Sequence, residues 1–134
     1  MKHLPEIILK AIDHKKQRYE TAGDYFVKDK KWHIRVSKIN ADYELLAMIH
    51  ELIEFYLTQK RGIKEEDITA FDIKFEQERE QGRWKDEEPG NDLRAPYFKE
   101  HQFSTLIEQQ IANELGADWK EYEDAFLKLP KVGK

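Results

Sequence analysis

The sequence contains no cysteine. Disulfides and thiolate-held metals are therefore excluded, and any cation must be held by His, Asp, Glu, backbone or water. It also lacks a long apolar run: the stretch nearest the N-terminus, Ile7 to Leu9, ends at Lys10. A secretory signal needs an apolar core of ~7–15 residues, and a membrane span needs ~20. We expect a cytoplasmic protein with no membrane partner. Positive charge is not in surplus, with 23 Lys and Arg against 27 Asp and Glu and a net charge of −4. Nucleic-acid binding rests on a basic face that displaces counterions, so a nucleic-acid partner is not expected. There is no glycine-rich phosphate loop. Ser37 and Ser104 sit in no nucleophile-elbow motif. Internal repeats and low-complexity tracts are absent as well.

What is present fits one domain over residues 1–134, strand-rich over 1–40 and helical over 41–130. Residues 6–12 are apolar and β-branched and read as a buried strand, with a short helix as the alternative. Residues 25–27 and 32–39 flank a charged turn, and the second run alternates Trp32, Ile34 and Val36 with His33, Arg35 and Ser37, which predicts a hairpin. Asn40 or Asp42 caps a helix that runs to Arg61 and stops at Gly62. Residues 64–80 fit either period. Their length and their acidic start favour a helix. Residues 81–95 form a polar loop long enough to suggest a functional or mobile role. Pro96 opens a helix to Gly116, and Asp118 with Glu121 begins a last one, ending near Leu129 before a tail expected to fray. Segregated strands and helices predict an α+β fold, a small antiparallel N-terminal sheet packed on three to four helices.

The helix over 42–61 carries the chemistry. Apolar residues cover about two-thirds of its surface, and Glu44, Ala47, His50, Glu51, Glu54 and Thr58 share the remaining strip. His50 and Glu54 are one turn apart, with Cβ atoms ~5–6 Å from each other, close enough for one cation. Glu51 lies beside them, where a carboxylate could take a proton from an activated water. A polar strip of this kind is also what a solvated helix side looks like. His-Glu-x-x-Glu is less specific than the metalloprotease pattern His-Glu-x-x-His.

The 97–115 helix adds His101 and Glu108 on one face among apolar neighbours, as a ligand with its acceptor or as a hydrogen-bonded core histidine. Asp72, if its segment is helical, falls between Ile68 and Phe75 on the apolar side, as a ligand, as an acceptor orienting a histidine, or as a buried cap. His3, His14 and His33 show no partner and are read as structural. His50, Glu54, His101 and Asp72 are thus the candidate metal ligands. A three-ligand site with room for water needs such a set. Imidazole and carboxylate accept zinc, manganese, iron or nickel.

The segments Trp32 to Ser37, His50 to Glu54, Thr69 to Glu76 and Ala95 to His101, in that order, resemble small uncharacterised phage and prophage proteins. They also resemble a minimal zincin, in which a strand precedes the metal helix. The resemblance implies a zincin-like fold with zinc as the metal, His50 as ligand and Glu51 as general base. It puts Glu54 in the place of the second zincin histidine and His101 as third ligand. Glu54 departs from the zincin pattern at that position. Two functions compete: a metal-dependent hydrolase acting on an unidentified substrate, with loop 81–95 as a lid, or a non-enzymatic phage-type protein that binds a host component. In the second, the cluster is a structural metal or a polar core network. An all-helical nucleotide pyrophosphohydrolase is disfavoured: the acidic pair that should follow Glu51 and Glu54 on the next helix is matched only by the distant Glu121 and Asp124.

Overall fold

Asp29 and Lys30 both have positive φ, 54° and 61°. Two such residues in succession form the hairpin turn whose twist matches that of the flanking strands. They join β2 (Gly23–Lys28) to β3 (Lys31–Ser37), which pair antiparallel with Tyr25 opposite Ile34. The computed structural model describes residues 2–132. β1 (Ile7–Ile12) lies on the other edge of β3 and runs parallel to it, with Leu9 opposite Ile34. The sheet is therefore mixed, in the order β1-β3-β2, and not antiparallel as expected. The cause is the segment 13–22, which carries the chain from the end of β1 across to the far edge of β3. Its length gave no sign of which edge it would reach.

Four helices follow: α1 (Ala41–Lys60), α2 (Glu65–Glu80), α3 (Phe98–Leu115) and α4 (Trp119–Leu127). The class is α+β, as expected. Asn40 caps α1 by accepting the Tyr43 N–H at 3.0 Å, and Asp118 caps α4 through the Glu121 N–H at 2.9 Å. Such a cap satisfies a backbone donor the helix cannot. Residues 65–80 are helical, so Asp72 does face inward. Pro96 precedes α3, with Tyr97 at the cap position. No helix among the described residues is long and apolar enough to cross a membrane.

The core lies between the sheet and α1. Phe55 is fully buried and stacks on Tyr25 and Trp32, with ring centroids 4.6 and 4.3 Å away. Burying one such ring stabilises by roughly 1.5–3 kcal/mol relative to leaving it exposed. Ile34, Ile68, Ala95 and Tyr97 complete this cluster. A second cluster, Leu46, Ala112 and Tyr122, ties α1, α3 and α4 together. α1 and α3 run antiparallel, with Leu46 near Ala112 at one end and Arg61 bonded to Glu100 at the other.

The 81–95 loop is tied down. Arg79 donates to the carbonyls of Trp84, Lys85 and Glu87. Arg94 pairs with Glu78, and Trp84 stacks on Phe75. The tail is also held, through the Val132 N–H donating to Glu20 at 2.7 Å. The rest of the tail expected to fray, residues 133 and 134, lies outside the described residues.

Candidate metal centre

The polar strip of α1 is turned inward. His50 and Glu54 are buried, as are Ala47 and Thr58, while Leu45 and Tyr56 on the opposite side are exposed. α3 shows the same inversion: His101, Ser104 and Glu108 are buried, and Phe103 and Leu106 are exposed. A helix that buries its polar side must satisfy it there.

Three atoms converge at the centre of this interface. His50 Nε2 lies 3.0 Å from Glu54 Oε2 and 3.1 Å from His101 Nδ1. His101 Nδ1 lies 2.9 Å from the same Glu54 oxygen. These residues form the one group of three potential ligands detected among the described residues. Donors that share one cation at ~2.0–2.2 Å stand about 3 Å apart, so the triangle has the right size.

The outer contacts determine what the triangle can hold. His50 Nδ1 faces Glu108 Oε1 at 2.7 Å, and His101 Nε2 faces Glu88 Oε2 at 3.0 Å. An ionised carboxylate only accepts, so each imidazole places its N–H outward. In the neutral rings both inner nitrogens are then lone pairs, and both point at Glu54 Oε2. Three acceptors converge with no donor between them, an arrangement that requires positive charge, either a metal ion or added protons. Carboxylate–histidine–metal chains of this form orient the imidazole and raise its basicity.

The electrostatics agree. Burial pulls the His50 imidazole down, but the Glu108 and Glu54 carboxylates outweigh it and hold it well above its usual range. His101 is likewise opposed by burial and raised by Glu54 and Glu88, to about 9. Glu54, which burial alone would raise, is held near 2 by the two imidazoles. The Tyr25 hydroxyl donates to its other oxygen at 2.8 Å. The Tyr122 hydroxyl donates to Glu108.

Glu51 is half-buried beside the triangle, and it makes no hydrogen bond among the described residues. Burial first, and then the Glu54 charge, push its carboxyl well above the usual range. It lies against Gly23, where a Cβ would meet the carboxylate oxygen at 2.5 Å. Gly90 performs the same service for His101: a Cβ there would overlap the imidazole, with Cδ2 at 2.8 Å and two ring atoms closer. Neither glycine has positive φ. Both are explained by the close approach of a site side chain. His50, Glu51, Glu54, Asp72, Glu88 and His101 all line one cleft of about 1190 Å³.

Of the candidate ligands, the fold brings His50, Glu54 and His101 together. Asp72 stands outside that group. Its oxygens accept from the hydroxyls of Tyr19, at 3.0 Å, and Tyr97. Burial is the main reason its carboxyl rises to about 7. The α2 pattern placed Asp72 inward correctly but gave no register against α1. Glu108 takes the orienting role open to it. Tyr25, Tyr122 and Glu88 are participants the sequence did not reveal. Tyr25 read as an ordinary strand residue, and Glu88 was one acid among many in the 81–95 loop. His14, expected to be structural, is buried between Ser37 Oγ at 2.7 Å and Glu20 at 2.9 Å. Ser37 is fully buried, so its hydroxyl serves His14 and Gln17 and not a ligand.

In comparisons with known proteins, no family model matches the chain, and no curated protein or solved structure matches it.

Proposed function

We propose that this protein is a metal-dependent hydrolase, with His50, Glu54 and His101 holding a divalent cation and Glu51 acting as general base. Zinc is the first candidate. Manganese, iron and nickel suit the same nitrogen and oxygen donors. The cation would supply Lewis acidity and make water acidic near neutral pH. Glu51 would accept the proton that the attacking water loses, and the same group would return it to the leaving atom. Glu54 and the two imidazoles would keep their positions through Tyr25, Glu108 and Glu88.

One observation carries this reading over a purely structural cluster. Glu51 is a carboxylate without a partner beside three convergent donors, in a cleft and not in a sealed core. A cluster that served only to join helices would have no use for it. The competing non-enzymatic reading, a binding protein with a polar core network, draws on the fact that the triangle and its outer carboxylates already form a closed set of contacts.

Elemental analysis of tag-free protein, with His50→Ala, His101→Ala and Glu51→Gln, separates the readings. The hydrolase reading expects about one equivalent of metal in the parent and in Glu51→Gln, and loss in both histidine variants. It also expects hydrolysis of a peptide or ester panel by the parent alone. A parent that takes up no metal after incubation with zinc, manganese, iron or nickel refutes the reading. Metal uptake with no hydrolysis, and no difference between parent and Glu51→Gln, leaves the structural role.

A further inference from the structure

The inverted helices leave an apolar surface on the side away from the cleft. On α1, Leu45, Ile49, Ile53 and Tyr56 recur every three or four residues and so form one stripe. On α3, Phe103 and Ile107 lie on the side turned the same way, because the two helices pack antiparallel with His50 and His101 between them. Leu45, Tyr56 and Phe103 are 45%, 40% and 48% exposed, and Ile49, Ile53 and Ile107 are half-buried. No charged residue interrupts the α1 stripe between Leu45 and Tyr56.

The ends of the surface differ in charge. Exposed Asp42 and Glu114 stand at the end where α1 begins and α3 finishes. Exposed Lys60 and Lys99 stand at the other end, and Asp42 and Lys60 continue the apolar stripe itself. A two-fold axis through the middle of the stripe would set the acidic end of one copy on the basic end of the next.

We infer that this face is the interface of a symmetric homodimer, with the α1–α3 pair of one chain packed on the α1–α3 pair of another. An isologous contact needs a patch that complements itself, and a stripe acidic at one end and basic at the other does so. The stripe also supplies most of the apolar area such an interface needs. At ~150–250 Å² for a whole large side chain, the exposed fractions give roughly 400 Å² of apolar surface per chain. A standard interface takes ~800 Å² from each partner, about 65% of it apolar in homodimers. The cleft opens on the other side of both helices, so pairing leaves it free. The arrangement also explains the inversion: in a dimer, α1 and α3 are interior helices on both sides, polar toward the cleft and apolar toward the second copy.

Sedimentation velocity and light scattering on the intact protein test this. The parent is expected at twice the 16.1 kDa chain mass at micromolar concentration. Ile53→Glu puts a charge at the centre of the stripe and is expected to give the single-chain mass with an unchanged circular dichroism spectrum. Lys60→Glu is expected to weaken pairing at least tenfold, and Lys60→Glu with Asp42→Lys to restore it, because the two positions meet across the axis. A parent that runs as a single chain throughout the micromolar range overturns the inference, as does a dimer indifferent to Ile53→Glu. Failure of the double variant to recover overturns the antiparallel placement. None of these readouts depends on metal or on activity.

Discussion

Gly90→Ala adds one methyl group and no charge, and it tests whether the centre depends on where the His101 imidazole stands. The new Cβ would sit 2.8 Å from His101 Cδ2 and closer to Cγ and Nδ1, where ordinary contact begins at 3.4 Å. The ring or the 3-10 turn at Pro89–Asn91 must give way by more than half an ångström. The ring is confined by Glu54 on one nitrogen and Glu88 on the other, so neither choice is free. Functional constellations tolerate displacements of only about 0.5 Å. Overpacking of this kind costs about 1–3 kcal/mol in stability. We expect a modest stability loss in urea and at least a tenfold loss of metal affinity, measured by competition with a chromophoric chelator. The neighbouring Asn91→Ala, whose side chain bonds only Gln102 among the described residues, serves as control and should bind metal as the parent does. Parent-like affinity in Gly90→Ala would show that the position of His101 does not matter to the cation, and it would refute the geometric argument.

Glu108→Gln keeps an acceptor for His50 but removes the charge that raises its basicity; metal affinity should fall about 10–100-fold, and isothermal titration of parent and variant checks it. Asp72 titrates near 7 in the folded chain against 3.8 as its ordinary value. The folded state therefore holds this proton more tightly. The stability Asp72 contributes is fully present below pH 3.8 and is lost as pH rises toward 7, by at most about 4 kcal/mol. Asp72→Asn should remove that slope, so the difference in unfolding free energy between variant and parent should shift in favour of the variant from pH 4 to pH 7. A difference that stays flat across this window would mean that burial does not perturb Asp72.

The local elements were legible because their signals are local. The alternation of Trp32, Ile34 and Val36, the caps at Asn40 and Asp118, and the stop at Gly62 all act within a turn or two of chain. His50 and Glu54 were legible as a pair for the same reason, being one helical turn apart. His101 was legible as a polar residue on an apolar face. What joins it to Glu54 is the docking of α3 on α1, which no short-range pattern encodes. Asp72 shows the limit most plainly: its helix and its inward direction were readable, yet its oxygens meet two tyrosine hydroxyls and not the histidines. The edge chosen by β1 was illegible, because a ten-residue connection can reach either side of β3. The ordinary expectation for a mixed helix, polar outside and apolar inside, holds for Leu46, Phe55 and Ala112 but fails for the buried His50, Glu54, His101 and Glu108.

The contacts at the centre also divide the chain into parts that can move separately. Glu54 with His101 and His50 with Glu108 close it across separations of 47 and 58 residues. Segment 81–95 lies inside that closed loop, held by Arg79 on its backbone carbonyls, by the Arg94–Glu78 pair and by one stacked tryptophan. Opening its first part, residues 81–89, costs those contacts and the grip of Glu88 on His101, while Ala95 keeps its place in the core and the α1–α3 junction stays shut. Hydrogen exchange should therefore find a fast-opening stretch directly beside some of the slowest amides in the chain. The expected result is a loop that exchanges protons with solvent while the Glu54–His101 and His50–Glu108 contacts beneath it persist.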